Sequence, residues 1–226
     1  MSVPLPQTRA ALAALIDHTL LRPEAAVEQV RELCHQAREY SVCAACVTPT
    51  MVRVAAKELE GSDVRVAAVI GFPSGAHLTE VKALEAERAV ADGAAELDMV
   101  INLALARVGD WRGVTADIAG VRAAAPSPTL KVILEARALE RDQLIQACLA
   151  SERAGAQFVK TSTGFHPTGG ATVEDVRVMS ETVGDRLGVK ASGSIRTAGA
   201  ALELIQAGAT RLGLSGTPAV LDEMPA

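Results

Sequence analysis

The chain holds 17 arginines but only five lysines, at positions 57, 82, 131, 160 and 190. Two of them, Lys160 and Lys190, stand inside short apolar runs (Phe158-Val159-Lys160 and Val189-Lys190-Ala191), where a hydrated surface cation has no place. A third apolar run, Glu96-Leu97-Asp98-Met99-Val100, carries a carboxylate in a similar setting. Burial strips an ammonium of water and lowers its pKa, and a second ammonium nearby lowers it further. The result is an amine neutral enough to attack a carbonyl carbon, chemistry closed to arginine, which never loses its proton. A carboxylate beside such an amine can move protons between hydroxyl, imine and carbon. A single strand lysine is more simply read as reaching water from a strand end, or as pairing with Asp98 or Glu135. Two of them together with Asp98 favour the nucleophile. Lys131 opens its own apolar run and is expected at the opposite rim, in a structural role.

Glycines and small hydroxyl residues make a second constellation. Gly164, Gly193 and Gly213 follow three successive apolar runs, with Ser192, Ser194 and Ser215 beside them. Backbone amides without bulky side chains can approach an anion, and helix starts expected at Thr172 and Thr197 would add partial positive charge. Turn chemistry alone also places a glycine after a strand. Three in consecutive loops favour a phosphate site.

Bringing these groups together requires a particular order of elements. Short β-branched runs at 15–19, 43–48, 64–70, 95–101, 130–135, 157–161, 187–192 and 210–214 alternate with stretches of helical period. Several runs are apolar nearly throughout, as strands covered on both faces should be. Residues 24–39 place Val27, Val30, Leu33, Cys34 and Ala37 on one helical face, and a helix over 50–60 ends near Gly61. Asp142, Thr172 (with Asp175) and Thr197 are the expected N-caps of three further helices. The segments 92–97, 154–159 and 207–212 repeat one helix–Gly-Ala–strand grammar. Eight such units predict an α/β fold, a (β/α)8 TIM barrel, as one domain over residues 1–226. An open doubly wound sheet would show the same alternation. In a barrel the C-terminal strand ends meet at one mouth, which would gather Asp17, Asp98, Glu135, Lys160, Thr161, Lys190 and the glycine loops.

Composition removes several function classes. Hydrophobic residues make up 49% and charged residues 22%, as in globular domains. A net charge of −5 without a basic run, and aromatics at only 2%, argue against nucleic acid as a partner. No apolar stretch reaches the roughly 20 residues that span a bilayer, and the N-terminus lacks a cationic-then-apolar leader pattern. A cytoplasmic protein without a membrane partner is expected. Cys43 and Cys46 form a C-x-x-C inside an expected strand, so with Cys34 and Cys148 they read as buried free thiols rather than a redox pair. The histidines at 18, 35, 77 and 166 lack metal-ligand spacing, and no metal or other cofactor is expected. No G-x-S-x-G elbow supports a serine hydrolase.

In order, Ile16-Asp17-His18-Thr19-Leu20-Leu21, Val69-Ile70-Gly71-Phe72-Pro73, Glu96-Leu97-Asp98-Met99-Val100-Ile101-Asn102, Phe158-Val159-Lys160-Thr161-Ser162-Thr163-Gly164-Phe165 and Val189-Lys190-Ala191-Ser192-Gly193 resemble the deoxyribose-phosphate aldolase family, over about residues 10–217. The resemblance implies a metal-free Schiff-base aldolase that joins acetaldehyde and glyceraldehyde 3-phosphate reversibly. It implies that Lys160 forms the imine, that Lys190 lowers its pKa, and that Asp98 handles protons. It further implies that Asp17, with Thr161 nearby, holds substrate hydroxyls and that Gly164, Gly193, Ser194 and Ser215 bind the phosphate. Members are often dimers or tetramers, so a homo-oligomer is expected. Departures from the family pattern are Ser194 for a second glycine, Gly216-Thr217-Pro218 for a more regular Ser/Gly stretch, and a lone tyrosine, Tyr40, where some members use a C-terminal one. Two rivals remain: a Schiff-base aldolase for another phosphorylated sugar or a 2-oxo acid, and a barrel that only binds a sugar phosphate.

Overall fold

A computed structural model describes residues 4–226. Eight parallel strands, β1 (Ile16–Leu20), β2 (Ala44–Val47), β3 (Arg65–Ile70), β4 (Glu96–Val100), β5 (Thr129–Ile133), β6 (Phe158–Lys160), β7 (Gly188–Ser192) and β8 (Arg211–Leu214), pair in chain order. Strand β8 then pairs back onto β1, with Ile16 beside Leu212 and Asp17 beside Gly213. That closure makes the fold a (β/α)8 TIM barrel and removes the open sheet. The strands fall within two residues of the expected runs at every end.

The outer layer comprises α1 (Arg9–Ala13), α2 (Val27–Glu39), α3 (Val52–Glu58), α4 (Thr79–Ala91), α5 (Leu103–Arg107), α6 (Trp111–Ala124), α7 (Arg141–Arg153), α8 (Val173–Val183), α9 (Ala198–Gln206) and α10 (Thr217–Asp222). Thr172 and Thr197 cap α8 and α9 as expected, accepting from the N–H groups of Asp175 and Ala200. Asp142 does not cap α7. The N-cap is Glu140, whose N–H donates to Gln143 Oε1 at 3.0 Å, and Asp142 lies in the first turn. The helix expected over 50–60 is preceded by a 3-10 turn, Pro49–Met51, which proline opens, and α3 itself starts at Val52.

Alternation along the strands sorts their side chains. Outward residues such as Val47, Ile70, Leu97, Met99, Val132 and Val159 join the helices in the main core. Each such burial contributes about 1.5–3 kcal/mol. Inward residues divide into two halves. Ala44, Cys46, Ala67 and Val69 of β2 and β3 form a small apolar cluster with Leu21, against which Phe72 packs. Asp17, Glu96, Asp98, Lys131, Lys160, Lys190 and Arg211 fill the rest, and all seven are buried.

Two outer contacts fix the mouth. Lys82 of α4 donates from Nζ to Asp117 of α6 at 2.7 Å and to the Val100 carbonyl at the end of β4 at 3.0 Å. Glu85 accepts from the Gly71 N–H at 2.7 Å, holding the turn that carries Phe72. The four cysteines are unpaired. Burial raises the thiols, Cys34 to about 11 and Cys148 to about 12, so they stay protonated and inert.

Candidate active site

Lys160 ends β6 with its side chain turned into the barrel. Its neighbours in register are Ile133 and Lys190. Its Nζ lies 2.6 Å from Asp98 Oδ2, and Lys190 Nζ lies 2.6 Å from the same oxygen. Asp98 Oδ1 accepts from Lys131 Nζ at 2.8 Å. One carboxylate therefore serves three ammonium groups.

Below this point the network continues. Lys190 also donates to Asp17 Oδ2, and Arg211 donates to Asp17 Oδ1 at 2.7 Å. Glu96 accepts from Arg211 at 3.0 Å and pairs with Lys131 at 2.5 Å. Arg65 reaches Glu96 at 3.0 Å from the half-exposed N-terminal rim. Inside the barrel three carboxylates thus face four cations. Losing one proton from a lysine balances the set, and the electrostatics select which one.

Lys160 has a single carboxylate, already shared. Burial, followed by the adjacent Lys190 charge, outweighs Asp98 and holds its pKa below the ordinary lysine value. Lys190 is equally buried, but Asp17 and Asp98 together raise its pKa. Lys131, contacted by Asp17, Asp98 and Glu96, is raised well above the usual value. Asp98 and Asp17 are buried too, yet their lysine and arginine partners keep both below the carboxylate range. Lys160 is the amine of the three poised to lose its proton.

The expected place of Lys131 is corrected here. It does not sit at the opposite rim: β5 begins at Thr129, so Lys131 lies within the strand, in register with Asp98 and fully buried. Glu96 and Arg211 belong to the same network and were not among the expected site residues. Gly213 makes room for it, since a Cβ there would meet Lys190 Cε at 3.2 Å.

Lys160 forms part of the wall of a cavity of about 790 Å³ at the C-terminal mouth. Thr163, Gly164 and Phe165 follow it, Ser192 to Ile195 come from the end of β7, and Gly213 to Ser215 from β8. The other wall is the β1–α2 segment with one face of α2, including Arg22, Glu32 and Gln36. His18 Nε2 lies 2.9 Å from Gln36 Oε1, and burial pushes the imidazole pKa down.

Gly164, Gly170 and Gly193 pack backbone to backbone. A Cβ on Gly193 would stand 2.9 Å from Gly170 Cα and 3.4 Å from Gly164 Cα, and one on Gly170 would stand 2.2 Å from the Gly193 carbonyl oxygen. Gly164 and Gly193 also take positive φ, 82° and 86°. Ser194 follows at φ 63°, a left-handed conformation that a glycine would adopt without strain. Pro218 lies in the first turn of α10, where its missing N–H would have had no helical partner, so the departure at 216–218 starts a helix.

Several of the groups expected on the substrate side have partners within the protein. Glu174 and Asp175 occupy the first turn of α8, and Glu223 accepts from the Ala198 N–H at the start of α9 at 2.7 Å. Carboxylates therefore stand beside both helix starts. Thr161 does not line the cavity: its hydroxyl accepts from the Ser192 N–H at 3.0 Å and ties β6 to β7. Asp17 likewise lies beneath the cavity, bound to cations.

An under-paired lysine at a barrel mouth, beside closely packed glycine loops, has the parts of a lysine-based aldolase. A family model described as DeoC/LacD family aldolase matches residues 11–217. A Kocuria rhizophila protein named deoxyribose-phosphate aldolase is 61% identical over 95% of this chain and 97% of its own length. The crystal structure of a Coccidioides immitis protein superposes with a TM-score of 0.94 at 42% identity, covering 98% of this chain and 88% of that one. The tetrameric deoxyribose phosphate aldolase from Aeropyrum pernix gives 0.89 at 36% identity, covering 95% and 91%. The chain belongs to the DeoC/LacD family of aldolases.

Proposed function

We propose that this aldolase cleaves and forms 2-deoxyribose 5-phosphate, with residues 1–226 acting as one catalytic unit. The observation that carries the reading is the Lys160–Asp98–Lys190 triangle, in which Lys160, alone of the three lysines inside the barrel, has a depressed pKa. Neutral Lys160 attacks C1 of the open-chain sugar, and loss of water gives a protonated imine. The C3 hydroxyl gives up its proton as the C2–C3 bond breaks, and that electron pair flows into the imine as an enamine. Glyceraldehyde 3-phosphate leaves. Protonation of C2 and hydrolysis of the imine release acetaldehyde and return Lys160.

Asp98 is the group placed to carry these protons, directly or through a water, and Lys190 to keep Lys160 neutral. Gly164, Gly193, Ser194 and Ser215, at the cavity wall, bind the phosphate through backbone and hydroxyl groups. Asp17 supports the reaction by holding Lys190 and Arg211, and Thr161 by joining β6 to β7. The name of the Kocuria rhizophila relative supports the sugar phosphate over the 2-oxo acid alternative. The tetrameric Aeropyrum pernix relative supports assembly into a homo-oligomer. Among the described residues no helix is long and apolar enough to cross a membrane, and the four unpaired cysteines fit a cytoplasmic setting.

The test is incubation of the purified chain with 2-deoxyribose 5-phosphate while glyceraldehyde 3-phosphate is followed. Steady release, much slower from unphosphorylated 2-deoxyribose, is expected. Phosphate-dependent binding without any product would favour the sugar-phosphate binder instead.

A further inference from the structure

Two of the chain's three phenylalanines meet at the barrel mouth. Phe72, after β3, contacts Phe165, after β6, edge to face, with centroids 5.1 Å apart and planes at 84°. Phe72 also packs against the apolar half of the barrel interior, while Phe165 is 48% exposed on the cavity wall beside Lys160.

Phe165 is fixed from below. Its N–H donates to Thr163 Oγ1 at 3.1 Å, and the Thr163 hydroxyl donates to Glu135 Oε2 at 2.6 Å. The Thr163 N–H faces the same carboxylate at 3.3 Å. Glu135 is buried, has no cationic partner among the described residues, and adopts φ 53°. That left-handed conformation costs a non-glycine residue about 1–2 kcal/mol. Strain retained at a site mouth to aim one carboxylate at one threonine points to a functional contact.

Resting on the aldolase reading above, we propose that Phe165, backed by Phe72, determines which aldehyde donor the enzyme accepts, and that Glu135 is the residue that positions it. The glycine cradle holds the phosphate end over the ends of β6, β7 and β8. The donor carbon, held at Lys160 through the imine, lies against the stretch of wall from which the Phe165 ring reaches across to Phe72. A donor with a bare methyl next to its carbonyl fits under the ring, and an extra methyl on that carbon meets it. One methylene in an apolar pocket is discriminated by about 10–200-fold.

The experiment compares kcat/KM for propanal and acetaldehyde, with glyceraldehyde 3-phosphate as acceptor, in the full chain and in variants. Phe165→Ala should raise the propanal-to-acetaldehyde ratio by about tenfold or more, with the KM for glyceraldehyde 3-phosphate little changed. Glu135→Ala should move the ratio the same way. Glu135→Gln keeps an acceptor for Thr163 and should restore it toward the wild-type value. If Phe165→Ala does not fold, Phe165→Leu carries the same test. A ratio within twofold of wild type in a folded Phe165 variant overturns the donor assignment. An unchanged ratio in Glu135→Ala overturns the positioning role. No aldol product from the wild-type chain with either aldehyde would instead sink the aldolase reading itself.

Discussion

Lys160 and Lys190 converge on a single oxygen, each with its Nζ 2.6 Å from Asp98 Oδ2. The pair is not symmetric, because Lys190 also holds Asp17 while Lys160 has no second carboxylate. Adjacent ammonium groups in a medium of low dielectric repel strongly, and the one with fewer counter-charges gives up its proton. The difference between the two lysines is thus set by Asp17 on β1, two strands further round the barrel from Lys190.

Replacing Lys160 with methionine should abolish turnover and leave the fold more stable. The substitution removes a desolvated amine and leaves three cations facing three carboxylates within the barrel. Replacing a whole buried ion pair by apolar groups is often stabilising by about 1–4 kcal/mol, and Asp98, which keeps Lys131 and Lys190, is not left as an uncompensated charge here. At this chain length each kcal/mol is about 2–4 °C of Tm. Thermal unfolding checks it, and a Tm below wild type contradicts it.

Lys190→Met should move the pH dependence rather than only the rate. Lys190 lowers the Lys160 pKa and also shares the Asp98 carboxylate, which raises it. Without Lys190 both effects drive the Lys160 pKa up. The acidic limb of kcat/KM should therefore shift to higher pH, with activity near neutrality down by about 10²–10⁴-fold. Profiles of the two proteins over the same pH range decide it.

Acid should unfold the barrel through Asp17 and Asp98. Both have folded-state pKa values below the ordinary carboxylate value, so each contributes stability that is fully present above about pH 4 and lost as pH falls toward the depressed values. Asp98→Asn leaves lysines without their shared counter-charge and should cost about 3–5 kcal/mol near neutrality. In urea titrations the gap between variant and wild type should narrow below about pH 4. A gap that widens there contradicts the assignment.

Gly193→Ala should separate phosphate binding from imine formation. Its Cβ would stand 2.9 Å from Gly170 Cα at a φ of 86°, which must displace the loop. Loss of one amide hydrogen bond to a charged group is worth about 1.5–3 kcal/mol. KM for the phosphorylated sugar should rise by about tenfold or more, while acetaldehyde still forms an imine on Lys160. Equal loss of both would contradict a phosphate-specific role.

Much of this was legible in the residues themselves. Lys160, Lys190 and Asp98 are conspicuous because charge inside an apolar β-branched run has few explanations, and the alternation of runs announces the barrel. The same argument applies to Lys131, Glu96 and Arg211, each inside or beside such a run. Lys131 was misplaced because its apparent run began one residue late, at 130 rather than Thr129, so an inner position looked like a rim. The α2 wall of the cavity and the closure of Phe72 onto Phe165 were not legible, since both arise where segments far apart in sequence dock. Nor could sequence show that Glu223, 25 residues downstream of Ala198, takes that helix-start N–H.

The most direct test of the central claim is borohydride reduction of the full chain in the presence of acetaldehyde, followed by peptide mass mapping. The account predicts an N-ethyl group on Lys160, lost in Lys160→Arg and suppressed at low pH as the amine becomes protonated. An adduct confined to Lys190 or Lys131, or none on a folded and soluble protein, would contradict it.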